Sequence, residues 1–204
     1  LDKIPDKKVY VNNKYIRTIA NGAPGFIPHW IAKDIKSFKG HALGENIEVE
    51  VNSSKKVDPD PLLAVNHLNA WITARYWINP DQDIDAVLDD YYEKFYGSAA
   101  DGMKKFIEFS ESCWWKIAFD AKLIDNAFTL ISEARKAAGD GIEGKRVQLL
   151  IDYMQPLKER YEVLRTWRKD VQTVHFVDGD ESKVKLDGKL DDVFWADAPE
   201  YKLG

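Results

Sequence analysis

From Leu62 to about Val171 the apolar residues recur at the spacing of an α-helix, with few interruptions. A chain that commits more than half its length to that period has to fold around helix–helix contacts. Leu68, Trp71, Ile72 and Arg75 share one stripe, which ends before Asn79-Pro80. There Asn79 reads as an N-cap, Pro80 as the first helical residue and Gln82 as the third position of a capping box. Ile84, Val87, Leu88, Tyr91, Tyr92 and Phe95 form the next face, and Gly97 stops it. Ser98 reads as the cap of a third helix carrying Met103, Phe106, Ile107, Trp114 and Ile117, with a break expected near residues 120–125. Leu130, Ile131, Ala134 and Ala138 lead to the loop 139–144, and Pro156 should kink or split the last stretch. The spacing predicts a mainly α protein, with an antiparallel array of four or five helices over residues 59–172.

The first 58 residues read differently. Lys8–Val11 and Tyr15–Thr18 have the character of short strands, separated by the turn signal Asn12-Asn13. Ile31, Ile35 and Phe38 predict a short helix over residues 29–39, with Gly40 at the position that favours a left-handed residue. Residues 45–52 alternate strictly, with Ile47, Val49 and Val51 on one face and Glu48, Glu50 and Asn52 on the other. The loop after them, residues 53–61, contains Pro59 and Pro61. In a closed parallel barrel the apolar face of such a strand would pack on helices and the carboxylates would point to the barrel centre. An amphipathic edge strand with a wet face satisfies the same alternation.

Charge and composition narrow the function classes. Asp and Glu outnumber Lys and Arg by 34 to 29, a net charge of −5, which gives no global attraction for nucleic acid. No apolar run approaches the ~20 residues of a membrane-spanning helix, so no membrane partner is expected. The single cysteine, Cys113, stands beside Trp114 and Trp115 and reads as a buried packing residue. The four histidines lack His or Cys partners at ligand spacing, and there is no Gly-rich nucleotide loop or nucleophile elbow, so neither metal nor cofactor is expected.

The chemistry-bearing candidates cluster around the alternating strand. Glycoside cleavage needs two carboxylates, and residues at the C-terminal end of a barrel strand line the active site. Glu50 is the candidate catalytic carboxylate, with Asn52 and Glu48 as substrate contacts. Trp77 offers a ring on which a sugar can stack, or a core ring filling a seam, and its spacing from Trp71 does not make one platform of the two. Arg75 can clamp a sugar carboxylate or take part in a structural ion pair.

The stretch Leu68–Ile84, with its Asn-Pro-Asp turn, and the stretch Asp89–Ala100, with Tyr-Gly-Ser-Ala-Ala, resemble the segment after the last barrel strand in α-glucuronidase-like barrel proteins. That group includes a large set classed as a domain of unknown function. The tail Val184–Pro199, with Asp-Gly-Lys-Leu-Asp before a Trp, is similar to the opening of a family-9-like carbohydrate-binding module. The resemblance implies a βα remnant of a (β/α)8 barrel at 1–58, a helical domain at 59–172, a linker at 173–183 and the first strand of a β module at 184–204. It also implies an exported protein whose partner is an oligo- or polysaccharide. The terminal strand has nothing after it to pair with, so the chain reads as the C-terminal part of a longer glycoside-hydrolase-like protein, inert alone. A self-contained helical interaction module is the rival expectation, and a barrel that binds sugar without cleaving it is a third.

Overall fold

The computed structural model describes residues 9–16, 20–49 and 62–170. By its internal contacts the chain divides into two units, Leu1–Lys169 and Asp170–Gly204. The first unit opens with strand β1 (Tyr10–Ile16), helix α1 (Pro28–Phe38) and strand β2 (Gly44–Val49). The two strands pair in parallel, Tyr10 opposite Gly44 and Asn13 opposite Ile47, with an irregularity before Ile16 reaches Val49. A helical crossover is the connection that parallel neighbours require. Two short strands flanking a turn were expected, yet one strand runs straight through Asn12-Asn13. Asn13 donates its side-chain amide to the Tyr15 hydroxyl at 2.9 Å and to the Glu45 carboxylate. Those bonds replace the local backbone bonds that make asparagine a turn former. Helix α1 begins on Pro28, as that residue's fixed φ favours, and ends before Gly40, whose φ of 75° supplies the left-handed turn.

Six helices come next among the described residues: α2 (Leu62–Ile78), α3 (Ile84–Tyr96), α4 (Ala100–Cys113), α5 (Ala121–Ala138), α6 (Ile142–Tyr153) and α7 (Gln155–Asp170). The number exceeds the expected four or five because Pro156 splits the last stretch outright. It stands in the first turn of α7, where a missing N–H costs nothing, and Met154 separates that helix from α6. The break after α4 also comes earlier than expected, through a 3-10 turn at Ile117–Phe119. Asp120 then caps α5 by accepting from the Lys122 N–H at 2.8 Å. At the start of α3 the cap is Asp83 rather than Asn79. Gln82 is drawn instead to the end of α2, donating to the Asn79 carbonyl at 2.7 Å and the Arg75 carbonyl at 3.0 Å. The expected linker 173–183, the β-module opening 184–204 and the loop 53–61 lie outside the described residues.

Helix α2 is the centre of the unit and packs on β1, α1 and α6. Val65, Leu68, Ile72 and Tyr76 are buried on it, together with the polar Asn69 and Thr73. Across from it the rings of Tyr91 and Phe95 stack at 5.1 Å, His67 stacks on Phe95 at 4.8 Å, and the Arg146 guanidinium covers Phe95 at 4.1 Å. Such ring pairs and the cation above them add specificity to the area they bury. Helices α4 and α5 approach closely at Gly102, where a Cβ would stand 2.9 Å from the Cα of Ala134. Cys113 is buried, as expected, and its thiol faces the Phe109 carbonyl at 3.2 Å.

One buried side chain ties the two halves of the fold together. Asn69, fully enclosed, accepts from the Ile27 N–H at 3.2 Å and donates to the carbonyls of Gly25 at 2.8 Å and Tyr15 at 3.2 Å. The segment leading into α1 is irregular backbone there, and an unmade buried bond is expensive. Asn69→Ala should lower unfolding free energy by about 1–3 kcal/mol, the range for leaving a buried polar group unpaired. Urea denaturation with an unchanged m-value is the measurement that checks it.

Candidate functional site

The sheet presents two faces of different character. Asn13, Tyr15, Glu45 and Ile47 are half-buried on the helix side, while Asn12, Lys14, Asn46 and Glu48 are exposed on the other. On the helix side the polar groups satisfy one another. Trp77 donates its indole N–H to Glu45 at 2.5 Å, and the Tyr15 hydroxyl donates to Asp34 at 3.1 Å. Burial and the Asp34 charge push the Tyr15 phenol far above its ordinary range. On the outer side Lys14 and Glu48 pair across the strands at 2.6 Å, and Asn46 donates to Asn12 at 3.5 Å. The alternation read from the sequence therefore holds as far as Glu48.

The candidate residues fall into two groups. Glu48 lies on the exposed polar face, and Glu50 and Asn52 lie outside the described residues. Trp77 is on the opposite, helix side, stacked on Phe38 at 6.5 Å with its N–H committed to Glu45. Arg75 lies over the Trp71 ring at 5.1 Å and donates to Gln82 at 2.8 Å. Trp77 thus packs with Phe38 and Glu45, Arg75 with Trp71 and Gln82, and Glu48 belongs to neither group. Glu45, which orients Trp77, escaped notice because only the longer run of carboxylates after it was read as chemistry.

A second polar constellation lies between the first turn of α1 and the last turn of α4. Helix α1 has Ile27 at its N-cap, which offers no side-chain acceptor. Glu111 of α4 fills that role from a distance, accepting from the His29 backbone N–H at 2.9 Å and from its Nδ1 at 2.5 Å. The negative charge sits where the helix dipole favours it. The other ring nitrogen faces Asp85 at 3.3 Å. Hydrogen bonding to Glu111 outweighs burial, and the His29 pKa rises to about 9. Around this pair a cleft of about 350 Å³ is lined by His29, Trp30, Glu108, Glu111, Ser112, Trp114 and Trp115. Tyr92, whose buried hydroxyl has no hydrogen-bond partner among the described residues, feels the charges of Glu108 and Glu111, and its pKa is raised by burial and by them. Sequence reasoning passed over this site. The signal was an apolar residue where a cap belongs, followed by Pro28-His29. Among the described residues no group of three His, Cys, Asp or Glu could hold a metal ion, and no helix is long and apolar enough to cross a membrane.

A parallel βαβ unit continued by a helical array defines the class of domain. The family model named Domain of unknown function (DUF4838) matches residues 7–108, half of the chain, from β1 into α4, and the chain belongs to that family. No curated protein and no solved structure matches it.

Because the folded His29 pKa is raised, its pair with Glu111 stabilises fully below the unfolded value near 6.5 and loses that contribution as pH rises through about 9. His29→Gln should therefore be less stable than the parent at pH 6. The deficit should be on the order of 1 kcal/mol once solvent screening of this partly exposed ring is allowed for. The two proteins should converge by pH 10, as thermal unfolding across that range will show.

Proposed function

We propose that this chain is the C-terminal part of a carbohydrate-active, glycoside-hydrolase-like protein. In this reading β1 and β2 are strands of a (β/α)8 barrel, α1 and α2 belong to its outer ring, and the remaining helices buttress it. The observation that carries the reading is the sheet itself. Parallel strands are ordinarily covered on both faces, and two strands alone are marginal. Here one face rests on helices and the other shows Asn12, Lys14, Asn46 and Glu48. A polar face of that kind suits the interior of a barrel mouth, where sugar hydroxyls find donors and acceptors side by side. Glu50, one residue beyond the described strand, remains the proposed catalytic carboxylate, with Asn52 and Glu48 as substrate contacts. Trp77 supports the sheet from the helix side, and Arg75 holds the turn after α2. The protein would be exported, its partner an oligo- or polysaccharide.

The rival, a helical module for a protein partner, draws on the exposure of Trp115 at 62%. A contiguous apolar patch would favour it. Trp114 is only partly exposed, the Trp167 side chain lies outside the described residues, and the tryptophans around the cleft are interspersed with Glu108, Glu111 and Ser112. That mixture weighs toward a polyhydroxylated ligand.

The test uses the natural polypeptide that contains this chain, assayed on a panel of aryl glycosides and oligosaccharides. Hydrolysis is expected, and Glu50→Gln should reduce it by about 10²–10⁴-fold, the usual worth of a positioned acid or base. Unchanged hydrolysis in the variant removes Glu50 from the mechanism. Absence of hydrolysis in the parent overturns the hydrolase reading.

A further inference from the structure

The cleft between α1 and α4 lies apart from the sheet face, and its lining says what it can hold. Trp30 is 61% exposed and Trp115 62% exposed, and both line the same cleft, with Trp114 partly exposed beside them. Large rings left in water at one place are unusual unless something covers them. The polar lining carries both signs, with carboxylates in excess. Glu108 and Glu111 contribute two negative charges and His29, bonded to Glu111, one positive charge, while just outside the lining Lys116 lies over the Trp115 ring at 5.1 Å and Asp85 faces His29 at 3.3 Å. A lining with more carboxylate than cation does not attract an anion. A cationic ligand would meet His29 in the wall and an ammonium already on the Trp115 ring. What remains is a neutral ligand with an apolar face for the rings and hydroxyls that both donate and accept. Carboxylates accept, the imidazolium and ammonium donate, and the Ser112 hydroxyl does either.

We propose that this cleft is a saccharide-binding site, separate from the barrel face, in which a neutral sugar ring stacks on Trp115 or Trp30 and its hydroxyls bond Glu108 and Ser112. The assignment deepens the carbohydrate reading and rests on it. It adds a site that holds polysaccharide outside the barrel. The His29–Glu111 pair is a positioning element. It fixes the start of α1, and with it Trp30, against the end of α4, so that the two tryptophans keep their spacing without a ligand. A site of this build loses little conformational entropy on binding.

The full 204-residue chain can be titrated with cellopentaose, xylopentaose and mannopentaose, and with choline chloride as the cationic probe. Binding is read by calorimetry and by tryptophan fluorescence. At least one pentasaccharide should bind, choline should not, and Trp115→Ala or Trp30→Ala should weaken binding by tenfold or more. Both rings are exposed, so these variants should melt as the parent does. Asp140→Asn, in the exposed turn between α5 and α6, should bind as the parent does. Failure of all three sugars to bind, affinity unchanged in both tryptophan variants, or binding of choline in their place overturns the assignment. Failure here alongside hydrolysis by the natural polypeptide removes this site and leaves the carbohydrate reading standing. Binding here without any hydrolysis removes the catalytic half of that reading and keeps the site.

Discussion

Asn69 does for this fold what a strand does for a sheet. Residues 23–27, which lead into α1, enter the interior as irregular backbone, with Ala23 and Phe26 fully buried. Irregular backbone in an apolar interior must find partners for its N–H and C=O groups. One side-chain amide on α2 meets two of them, at Gly25 and Ile27, and the Tyr15 carbonyl of β1 besides. The Tyr153 hydroxyl of α6 reaches the Ala23 carbonyl at 3.3 Å, and the Phe26 ring meets Phe106 of α4 edge-on at 6.2 Å. Helices from three parts of the chain thus grip one short stretch. The position of the sheet relative to the helical array follows from that grip.

The same logic explains how the α1–α4 cleft is built. A helix whose sequence supplies no cap must be capped by something else or start elsewhere. Glu111 gives α1 its cap and, in doing so, sets the distance between the two helices that wall the cleft. The carboxylate is therefore structural, and Glu108 and Ser112, one turn or less away on α4, are the groups left to face a ligand.

Much of the fold was legible because period and burial agree. The helical stripes, the alternating strand, Gly40 and the buried Cys113 all follow from local pattern. Reading failed where a side chain had a distant partner that outbid the local one. Asn12-Asn13 signals a turn until Glu45 and Tyr15 engage Asn13. Asn79 and Gln82 spell a capping box until Gln82 is taken by the end of α2. Asn69 looked like one more letter in a helix because its value lies entirely in what it meets some 44 residues away. The site suffered in the same way. Trp77 and Arg75 were read for their chemistry, while Phe38, Trp71, Glu45 and Gln82, which occupy them, are visible only in three dimensions. His29 and Glu111 stand 82 residues apart, and no spacing rule joins them.

The bond between Tyr153 and Ala23 closes a loop of 130 residues. The hairpins α3–α4 and α4–α5 close over a few residues each, and local closure is fast while distant closure waits on chain entropy. An order of assembly during synthesis results. The βαβ segment is made before the helices that hold it, and its grip is not complete until α6 has emerged. Until then the stretch leading into α1 is held by α2 and α4 alone.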